Sequence, residues 1–254
     1  MQGGARTPEA FAPAIAALGS AAFAAELLAA LNRIVPVDHL SLMRFADGTR
    51  PPVLESAVWH GGEHVSEVQR AYLQGLYRHD PNLQLAGTHV EACVLRLRRD
   101  DIRHRAYREK CYLRAGLIER LTVASSMAEH LVALNLYRRE TSGTFADEEV
   151  EAIEALARFL GAIAGKHASL LGALLRSRER GDRVAAASAR LHALDGRLTG
   201  RELDVLARIL VGMTSEGIAL DLRIRPNTVL TYRKRGYARL GVSSQAELFS
   251  LCLA

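Results

Sequence analysis

The residues with the most distinctive chemistry lie in one short basic stretch near the end of the 254-residue chain, Arg225 to Leu240, which reads RPNTVLTYRKRGYARL. It contains no acidic residue, so its positive charge is locally unopposed. Hydrogen-bonding side chains on a narrow cationic helix suit the major groove of double-stranded DNA, where base edges lie between two rows of phosphates. The alternative is a solvated basic helix without a partner. At about 100° per residue, one face of this helix collects Asn227, Thr231, Lys234 and Ala238, with Leu230 and Arg235 at its edges.

Short helices on both sides would position this basic helix within residues 198–253. Thr199 and Glu202 have the spacing of a capping box, and Thr214 can cap the next helix. Pro226 suits the first position of the basic helix itself. Apolar residues at helical spacing predict one shared core, made of Val205, Leu206, Ile209, Leu210, Ile218, Leu222, Val229, Gly236, Leu240, Leu248, Leu251 and Leu253.

The segment LTGRELDVLARILVGMTSEGIALDLRIRPNTVLTYRKRGYARLGVSSQAEL resembles the LuxR-type helix-turn-helix domain. Three positions depart from that pattern: Gly217 replaces the usual Glu, Leu230 a basic residue, and Tyr232 the usual His. The sequence preference of better-known members therefore does not transfer, because Leu230 offers only an apolar contact, for instance to a thymine methyl. The matching positions are Leu198, Thr199, Arg201, Glu202, Val205, Leu206, Gly212, Ile218, Ala219, Leu222, Thr228, Val229, Leu240, Gly241 and Val242.

The resemblance implies double-stranded DNA as a partner, a homodimer that reads paired half-sites, and contact with RNA polymerase. Candidate dimer surfaces are a helix predicted from Asp147 to Leu175 and the last helix near Leu248 and Leu251. The residues predicted to bind DNA are Thr214, Ser215, Asn227, Thr228, Leu230, Thr231, Tyr232, Arg233, Lys234, Arg235 and Arg239.

The composition of the whole chain limits its domain number, its partners and its location. Its length and 49% apolar content allow two domains with proper cores, and the net charge of +5 permits a nucleic-acid partner. The sequence has no apolar run long enough for a membrane span and no secretory signal, so no membrane contact is predicted. Three widely spaced cysteines indicate reduced thiols and a cytoplasmic location. The resemblance to LuxR-type regulators implies that this cytoplasm is bacterial.

The order of elements before residue 175 predicts an α+β sensory domain, with an antiparallel sheet sandwiched by helices. Helices are predicted over 8–34 with a break at Gly19-Ser20, over 63–76, over 100–115 and over 147–175. Strands are predicted over 38–46, 52–59, 94–97, 117–125 and 130–137. The charged, Ala-rich stretch 176–197 is predicted to be a linker, either a hinge or an exposed helix. The predicted domains are 8–175 for sensing and dimerisation, 176–197 as linker, and 198–254 as a small all-α, four-helix DNA-binding domain.

The segments YLQGLYRHDPNL and YREKCYLRAGLIERLTV in the front domain resemble sensory domains that precede LuxR-type helix-turn-helix domains, similar to GAF and autoinducer-binding folds. Acyl-homoserine lactone receptors carry WxxxY followed, after eight residues, by Asp-Pro. Asp80-Pro81 matches that pattern, but Tyr72 is one residue out of place, which rotates its ring by about 100° on a helix. Trp59 lies much too early in the chain. Lactone sensing is therefore kept as an alternative.

A small-molecule pocket in the front domain would draw on four residues: Trp59, Tyr72, Tyr77 and Asp80. The aromatic rings supply large apolar faces with polar tips, and the carboxylate could accept a hydrogen bond from a ligand amide. The competing interpretation is that the rings belong to the core and that Asp80 caps its own turn.

Other chemistry is poorly supported by the sequence. The chain lacks a nucleophile elbow, a phosphate-binding loop and a dinucleotide fingerprint, so neither an enzyme nor a cofactor is predicted. His60 and His64 are separated by Gly61-Gly62 and lack a third ligand, so no metal site is predicted. Cys111, among basic residues, is either a redox-sensitive thiol or a buried helix thiol.

The leading prediction is a DNA-binding transcriptional regulator controlled by a small-molecule effector in its front domain. Two alternatives keep the DNA-binding function: an acyl-homoserine lactone receptor, and a dimeric regulator without a ligand. A third, from a different class, is an enzyme or protein-binding module with a DNA-binding tail. It has no catalytic constellation to support it.

Overall fold

The computed structural model describes residues 7–45, 52–59, 65–85, 91–127 and 130–253, and in them five strands form one antiparallel sheet. The strand order is β2-β1-β5-β4-β3. The predicted antiparallel sheet is confirmed, and β1 and β2 pair as neighbours, as the predicted hairpin requires. The strands are β1 (His39–Phe45), β2 (Val53–Trp59), β3 (Cys93–Arg98), β4 (Leu117–Met127) and β5 (His130–Arg139).

The two faces of the sheet have different chemistry because successive side chains of a strand point to opposite sides. Leu40 and Leu42 of β1 lie on an aliphatic face, which packs against α1 (Thr7–Ala16), α2 (Phe23–Leu31) and α5 (Asp147–Leu194). Met43 and Phe45 lie on the other face. Helices therefore cover the sheet on both sides, which confirms the predicted sandwich.

The second face packs against α3 (Val65–Leu73), α4 (Arg105–Arg108) and the turns that follow them. We call its aromatic cluster the tyrosine core. The tyrosine core comprises Tyr72, Tyr77, Tyr107, Tyr112 and Tyr137, each with at most 6% of its surface exposed. This face positions the candidate sensory residues.

One predicted helix, over 100–115, is wrong in extent. The chain forms a 3-10 turn at Arg99–Asp101 and becomes α-helical only at Arg105, and a π-turn at Glu109–Leu113 follows directly. The late start has a local cause, since the His104 imidazole Nδ1 accepts a hydrogen bond from the Tyr107 amide at 3.2 Å and so caps α4. The break predicted at Gly19-Ser20 is confirmed, with Gly19 at φ 77° between α1 and α2.

Helix α5 is longer than predicted: it continues past residue 175 to Leu194 and is 48 residues long. Residues 176–194 are thus helical and mostly exposed, which corresponds to the second of the two linker interpretations. The helix continues because this stretch has no proline, and it ends just before Asp195 and Gly196. The chain divides into two compact units, Met1–Gly172 and Ala173–Ala254, and the division falls inside α5. No helix in the described residues is long and apolar enough to cross a bilayer.

Inside the first unit, α5 carries a fully buried imidazole, that of His167. Its Nδ1 accepts a hydrogen bond from the Gly19 amide at 3.1 Å, and its ring stacks on Phe23 with centroids 4.0 Å apart. Its Nε2 has no hydrogen-bond partner among the described residues. Burial lowers the pKa of His167 from 6.5 to about 4, and protonation at Nδ1 would also break the bond to Gly19.

This imidazole predicts a specific loss of stability in acid. Because the pKa is lower in the folded state, the contribution of His167 is complete above pH 6.5 and decreases as the pH falls towards 4. We expect the parent to lose about 1 kcal/mol of unfolding free energy from this group between pH 7 and pH 5.5. His167→Asn keeps an acceptor for Gly19 but does not titrate, so urea unfolding at the two pH values should show a smaller loss. His192→Asn, at an exposed position of the same helix, should behave as the parent; equal losses in all three proteins would contradict this prediction.

The second unit contains the four helices that the sequence predicts: α6 (Gly200–Leu210), α7 (Ser215–Leu222), α8 (Pro226–Leu240) and α9 (Gln245–Leu253). Their shared core includes Leu206, Ile218 and Val229, joined by Leu191 from the end of α5. One expectation is corrected: Leu248 is fully buried in this core, so it cannot form part of a dimer surface.

Candidate nucleic-acid interface and sensory core

Helix α8 has the two faces predicted for a recognition helix. Val229 is fully buried and Gly236 is buried, whereas Leu230 is 42% exposed. Pro226 occupies the first turn, and Gly241 ends the helix in the left-handed conformation at φ 69°. The exposed residues on the opposite side are Asn227, Leu230, Thr231, Lys234, Arg235 and Ala238.

A close approach between α8 and α6 fixes the direction of the recognition helix. A Cβ atom at Gly236 would lie 2.7 Å from Leu206 Cδ1, inside the fully buried core. The Thr199–Glu202 capping box is present at the start of α6, as predicted. Thr214 accepts a hydrogen bond from the Gly217 amide at 3.1 Å, which confirms it as the cap of α7. In the turn before α8, Arg223 takes the left-handed conformation at φ 54°.

The cations of α8 are not equivalent. Arg239 donates to the carbonyl of Arg197, and its Nη1 lies 3.2 Å from Oε2 of Glu202, which is 2% exposed. Arg239, which the sequence predicts to bind DNA, is thus also held at the start of α6. Lys234 and Arg235 are exposed and form no ion pair with the described residues. These two cations are therefore available to an external anion.

The remaining residues predicted to contact DNA differ in accessibility. Thr214 is exposed, but its hydroxyl is already used in the cap. Thr231 is exposed and donates its hydroxyl hydrogen to the Asn227 carbonyl at 2.9 Å. Tyr232 is half-buried against the domain core. Ser215, Thr228 and Arg233 are also half-buried.

The candidate sensory site is organised around one buried carboxylate, that of Asp80, which is 3% exposed. The Arg120 guanidinium reaches it through both terminal nitrogens, with Nη1 2.9 Å from Oδ2 and Nη2 2.8 Å from Oδ1. Tyr72 and Tyr107 donate their hydroxyls to Oδ2 at 2.7 and 3.0 Å. The backbone amide of Asn82 donates to Oδ1 at 2.9 Å, so Asp80 also caps its own turn. With five donors on two oxygens, the carboxylate has no free acceptor position.

The electrostatics of this group support a charged pair. Burial alone raises the pKa of Asp80, but attraction to Arg120 and the hydrogen bonds outweigh it, and the pKa lies below its ordinary value. Burial alone lowers the pKa of Arg120, but attraction to Asp80, with smaller contributions from Tyr112 and Tyr107, outweighs it, and the pKa lies above its ordinary value. Burial and the nearby carboxylate raise the pKa of Tyr72 and Tyr107, which therefore remain donors.

A row of polar side chains extends from this group across the sheet. Asn82 Nδ2 donates to Asn135 Oδ1 at 3.2 Å, and Asn135 Nδ2 donates to the Ser41 hydroxyl at 3.2 Å. Ser41 and the Tyr137 hydroxyl share a hydrogen bond of 3.2 Å. Three buried atoms of this region have no partner in the described part of the chain: Asn82 Oδ1, Tyr112 OH and Arg120 Nε.

The structure brings together three of the four residues predicted to line a pocket. Tyr72, Tyr77 and Asp80 lie in one buried region, and Tyr77 is 2% exposed. Trp59 pairs through its backbone with His39, and its side chain lies outside the described structure, as do His60 and His64. Sequence reasoning missed Arg120 and Tyr107. A signal existed in Glu119-Arg120, a charged pair in the middle of the strand LIERLTV.

Cys111 is buried in the tyrosine core, and burial raises the pKa of its thiol to about 12. It is therefore a protonated core thiol at neutral pH and not an activated thiolate. This agrees with the second of the two interpretations given to it above.

The geometry thus defines a helix-turn-helix domain that follows an α+β domain with one antiparallel sheet. Residues 197–252 match the family described as bacterial regulatory proteins, luxR family. Over 57 residues the chain is 46% identical to an HTH-type transcriptional regulator in the exeN 3' region of Aeromonas salmonicida. That match covers 22% of this chain and 29% of that protein, so the chain spans less than a third of this relative. The C-terminal domain is a LuxR-family helix-turn-helix domain.

The front domain has structural relatives of low sequence identity. The VqsR LBD domain from Pseudomonas aeruginosa has a TM-score of 0.53 and 20% identity, covering 66% of this chain and 98% of that one. The N-acylhomoserine lactone dependent LuxR family transcription factor CepR2 from Burkholderia cenocepacia has a TM-score of 0.46 and 16% identity, covering 65% and 94%. At this identity the VqsR likeness shows a shared fold and nothing about a ligand.

Proposed function

We propose that this protein is a sequence-specific, DNA-binding transcriptional regulator whose helix α8 enters the major groove. The observation that carries the proposal is the exposure of Asn227, Thr231 and Lys234 on a helix whose opposite side, at Val229, is buried. An element of this kind presents hydrogen-bonding groups to base edges while its flanks approach the phosphates. The proposal includes no catalytic activity.

The residues divide into two functional sets. Asn227, Leu230, Thr231 and Lys234 form the base-reading set. Arg235 and the half-buried Arg233 form the phosphate set, whereas Arg239 acts mainly by holding α8 to the start of α6. Lys234 can donate to guanine O6 and N7, and Leu230 can contact a thymine methyl.

We propose a homodimer as the DNA-binding form, since one helix-turn-helix reads only a short half-site. The exposed part of α5 is the favoured interface, because Leu174 and Leu175 are 57% and 52% exposed. Contact with RNA polymerase is part of the same proposal. Sedimentation of the protein alone and on DNA tests the dimer, and a monomer in both conditions would contradict it.

We also propose that the front domain responds to a small molecule. The Asp80 carboxylate already accepts five hydrogen bonds, which argues against the lactone alternative. A lactone amide could bind this carboxylate only by displacing one of those five donors. The same packing supports the alternative of a regulator that needs no ligand at this position. Mass spectrometry of small molecules carried by the purified protein separates a ligand-bound form from a ligand-free one.

Selection of bound DNA from a random pool tests the central proposal. We expect enrichment of a pseudo-palindrome whose half-sites are about one helical turn apart. A protein with Asn227, Thr231 and Lys234 all changed to alanine is the matched control, because those side chains are exposed and their loss should not affect folding. The proposal fails if the parent enriches no sequence, or if the control enriches the same one.

A further inference from the structure

A surface cleft of about 330 Å³ lies between α3 and the π-turn Glu109–Leu113, on the outer side of the tyrosine core. Its apolar lining comes from Val68 and Ala71 of α3. Lys110 and Arg114 line it from the other side. The volume is at the lower end of the range found for small-molecule sites.

The charges around this cleft are strongly unbalanced. Arg70, Lys110 and Arg114 supply three exposed cations, against one carboxylate, that of Glu67. Among the described residues, none of the three cations forms an ion pair. Favourable interaction with a helix C-terminus accounts for single cations near the ends of α3 and the π-turn. It does not account for three cations that line one cleft in which Glu67 supplies the single carboxylate.

We propose that this cleft binds a small anionic metabolite, one that carries phosphate or carboxylate groups. Two guanidinium groups and an ammonium group can donate charge-assisted hydrogen bonds to the oxygens of a planar carboxylate or a tetrahedral phosphate. The Gln74 side-chain amide adds a neutral donor. The net charge of the lining, three cations and one carboxylate, favours a ligand with at least two negative charges. This inference rests on the proposed function, because it names the effector class and locates its site away from Asp80.

The walls of the cleft connect it to the buried network. Helix α3 carries Tyr72, whose hydroxyl donates to Asp80, and the π-turn carries Cys111 and Tyr112, which are buried in the tyrosine core. An anion held by Arg70 on one wall and by Lys110 and Arg114 on the other would restrain these elements relative to each other. Binding at the surface would thereby stabilise the packing around Asp80.

Calorimetric titration of the full-length protein with citrate and with inorganic phosphate, at constant ionic strength, tests the proposal. We expect saturable binding of at least one anion. In the triple variant Arg70→Gln, Lys110→Gln, Arg114→Gln the Kd should rise at least about tenfold, because charge-assisted hydrogen bonds are removed. The relative affinity for citrate and phosphate distinguishes a carboxylate ligand from a phosphate ligand.

Two controls isolate the cleft. The variant Arg33→Gln, Arg103→Gln, Arg105→Gln removes the same charge from exposed positions outside it and should bind as the parent does. Lys234→Ala with Arg235→Ala should also leave anion binding intact, which excludes α8 as the site. The inference is overturned if the parent binds neither anion saturably, or if the cleft variant retains parental affinity. Anion binding is measured without DNA, so the titration can be interpreted even if DNA selection contradicts the DNA-binding proposal.

Discussion

Replacing Arg120 with methionine is expected to lower the free energy of unfolding of the front domain by about 3–5 kcal/mol. Methionine replaces the apolar stem of the arginine side chain, but the change removes both guanidinium contacts and leaves the Asp80 carboxylate buried without its counter-charge. Tyr72, Tyr107 and the Asn82 amide would still donate to Asp80, yet neutral donors do not replace a full positive charge. Urea unfolding followed by circular dichroism measures the loss. Arg105→Met, at an exposed position, is the control and should change stability by less than about 0.5 kcal/mol.

The pH dependence of this variant distinguishes a broken charge pair from a simple packing defect. In the parent, the pKa of Asp80 is below its ordinary value, so its contribution is present at neutral pH and is lost in acid. Without Arg120, burial raises the pKa of the Asp80 carboxyl group, and its protonation then removes the cost of a buried charge that has no partner. The deficit of Arg120→Met relative to the parent should therefore decrease as the pH falls from 7 to 5.

A double variant gives a second, independent check. Arg120→Met combined with Asp80→Asn removes both charges, so it should cost less than the sum of the two single changes. Additive losses, or a deficit that is constant with pH, would mean that Asp80 and Arg120 act separately. The interpretation of Asp80 as a turn cap alone predicts only about 1 kcal/mol for removal of its side chain.

The DNA-binding domain could be predicted from the sequence in detail because its signals are local. The Thr199–Glu202 box, the Thr214 cap and Gly241 each act within one turn of a helix, and all three are present. The burial of Val229 and Gly236 follows from helical periodicity alone. Arg239 was only partly predicted, because its contact with Glu202 depends on how α8 crosses α6.

In the front domain, the central ion pair could not be predicted from the sequence. The pairing of Asp80 with Arg120 joins residues 40 positions apart and depends on where the turns at residues 76–85 pack against β4. No local pattern encodes that placement. The continuation of α5 past residue 175 was ambiguous for a different reason: an exposed helix and a flexible linker are both charged and poor in large apolar residues.

Lys234→Ala is expected to weaken binding to the selected operator about 5- to 150-fold, which corresponds to 1–3 kcal/mol, and to change binding to random DNA little. Lys234 is exposed on the face opposite Val229 and forms no ion pair with the described residues, so alanine removes a member of the proposed base-reading set without disturbing the fold. Thr231→Ala should have a smaller effect, because its hydroxyl already donates to the Asn227 carbonyl.

Arg235→Ala is the matched comparison, since it removes one exposed cation from the next position of the same helix. As a member of the proposed phosphate set, Arg235 should matter equally for operator and random DNA. Its removal should reduce the slope of log K against log salt by about one unit for each phosphate that is no longer neutralised. Fluorescence anisotropy with both DNAs at several salt concentrations measures the two quantities together. If Lys234→Ala weakened binding equally on both DNAs while Arg235→Ala weakened it only on the operator, α8 would have to lie in the groove rotated by about one residue, or about 100°, from the proposed orientation.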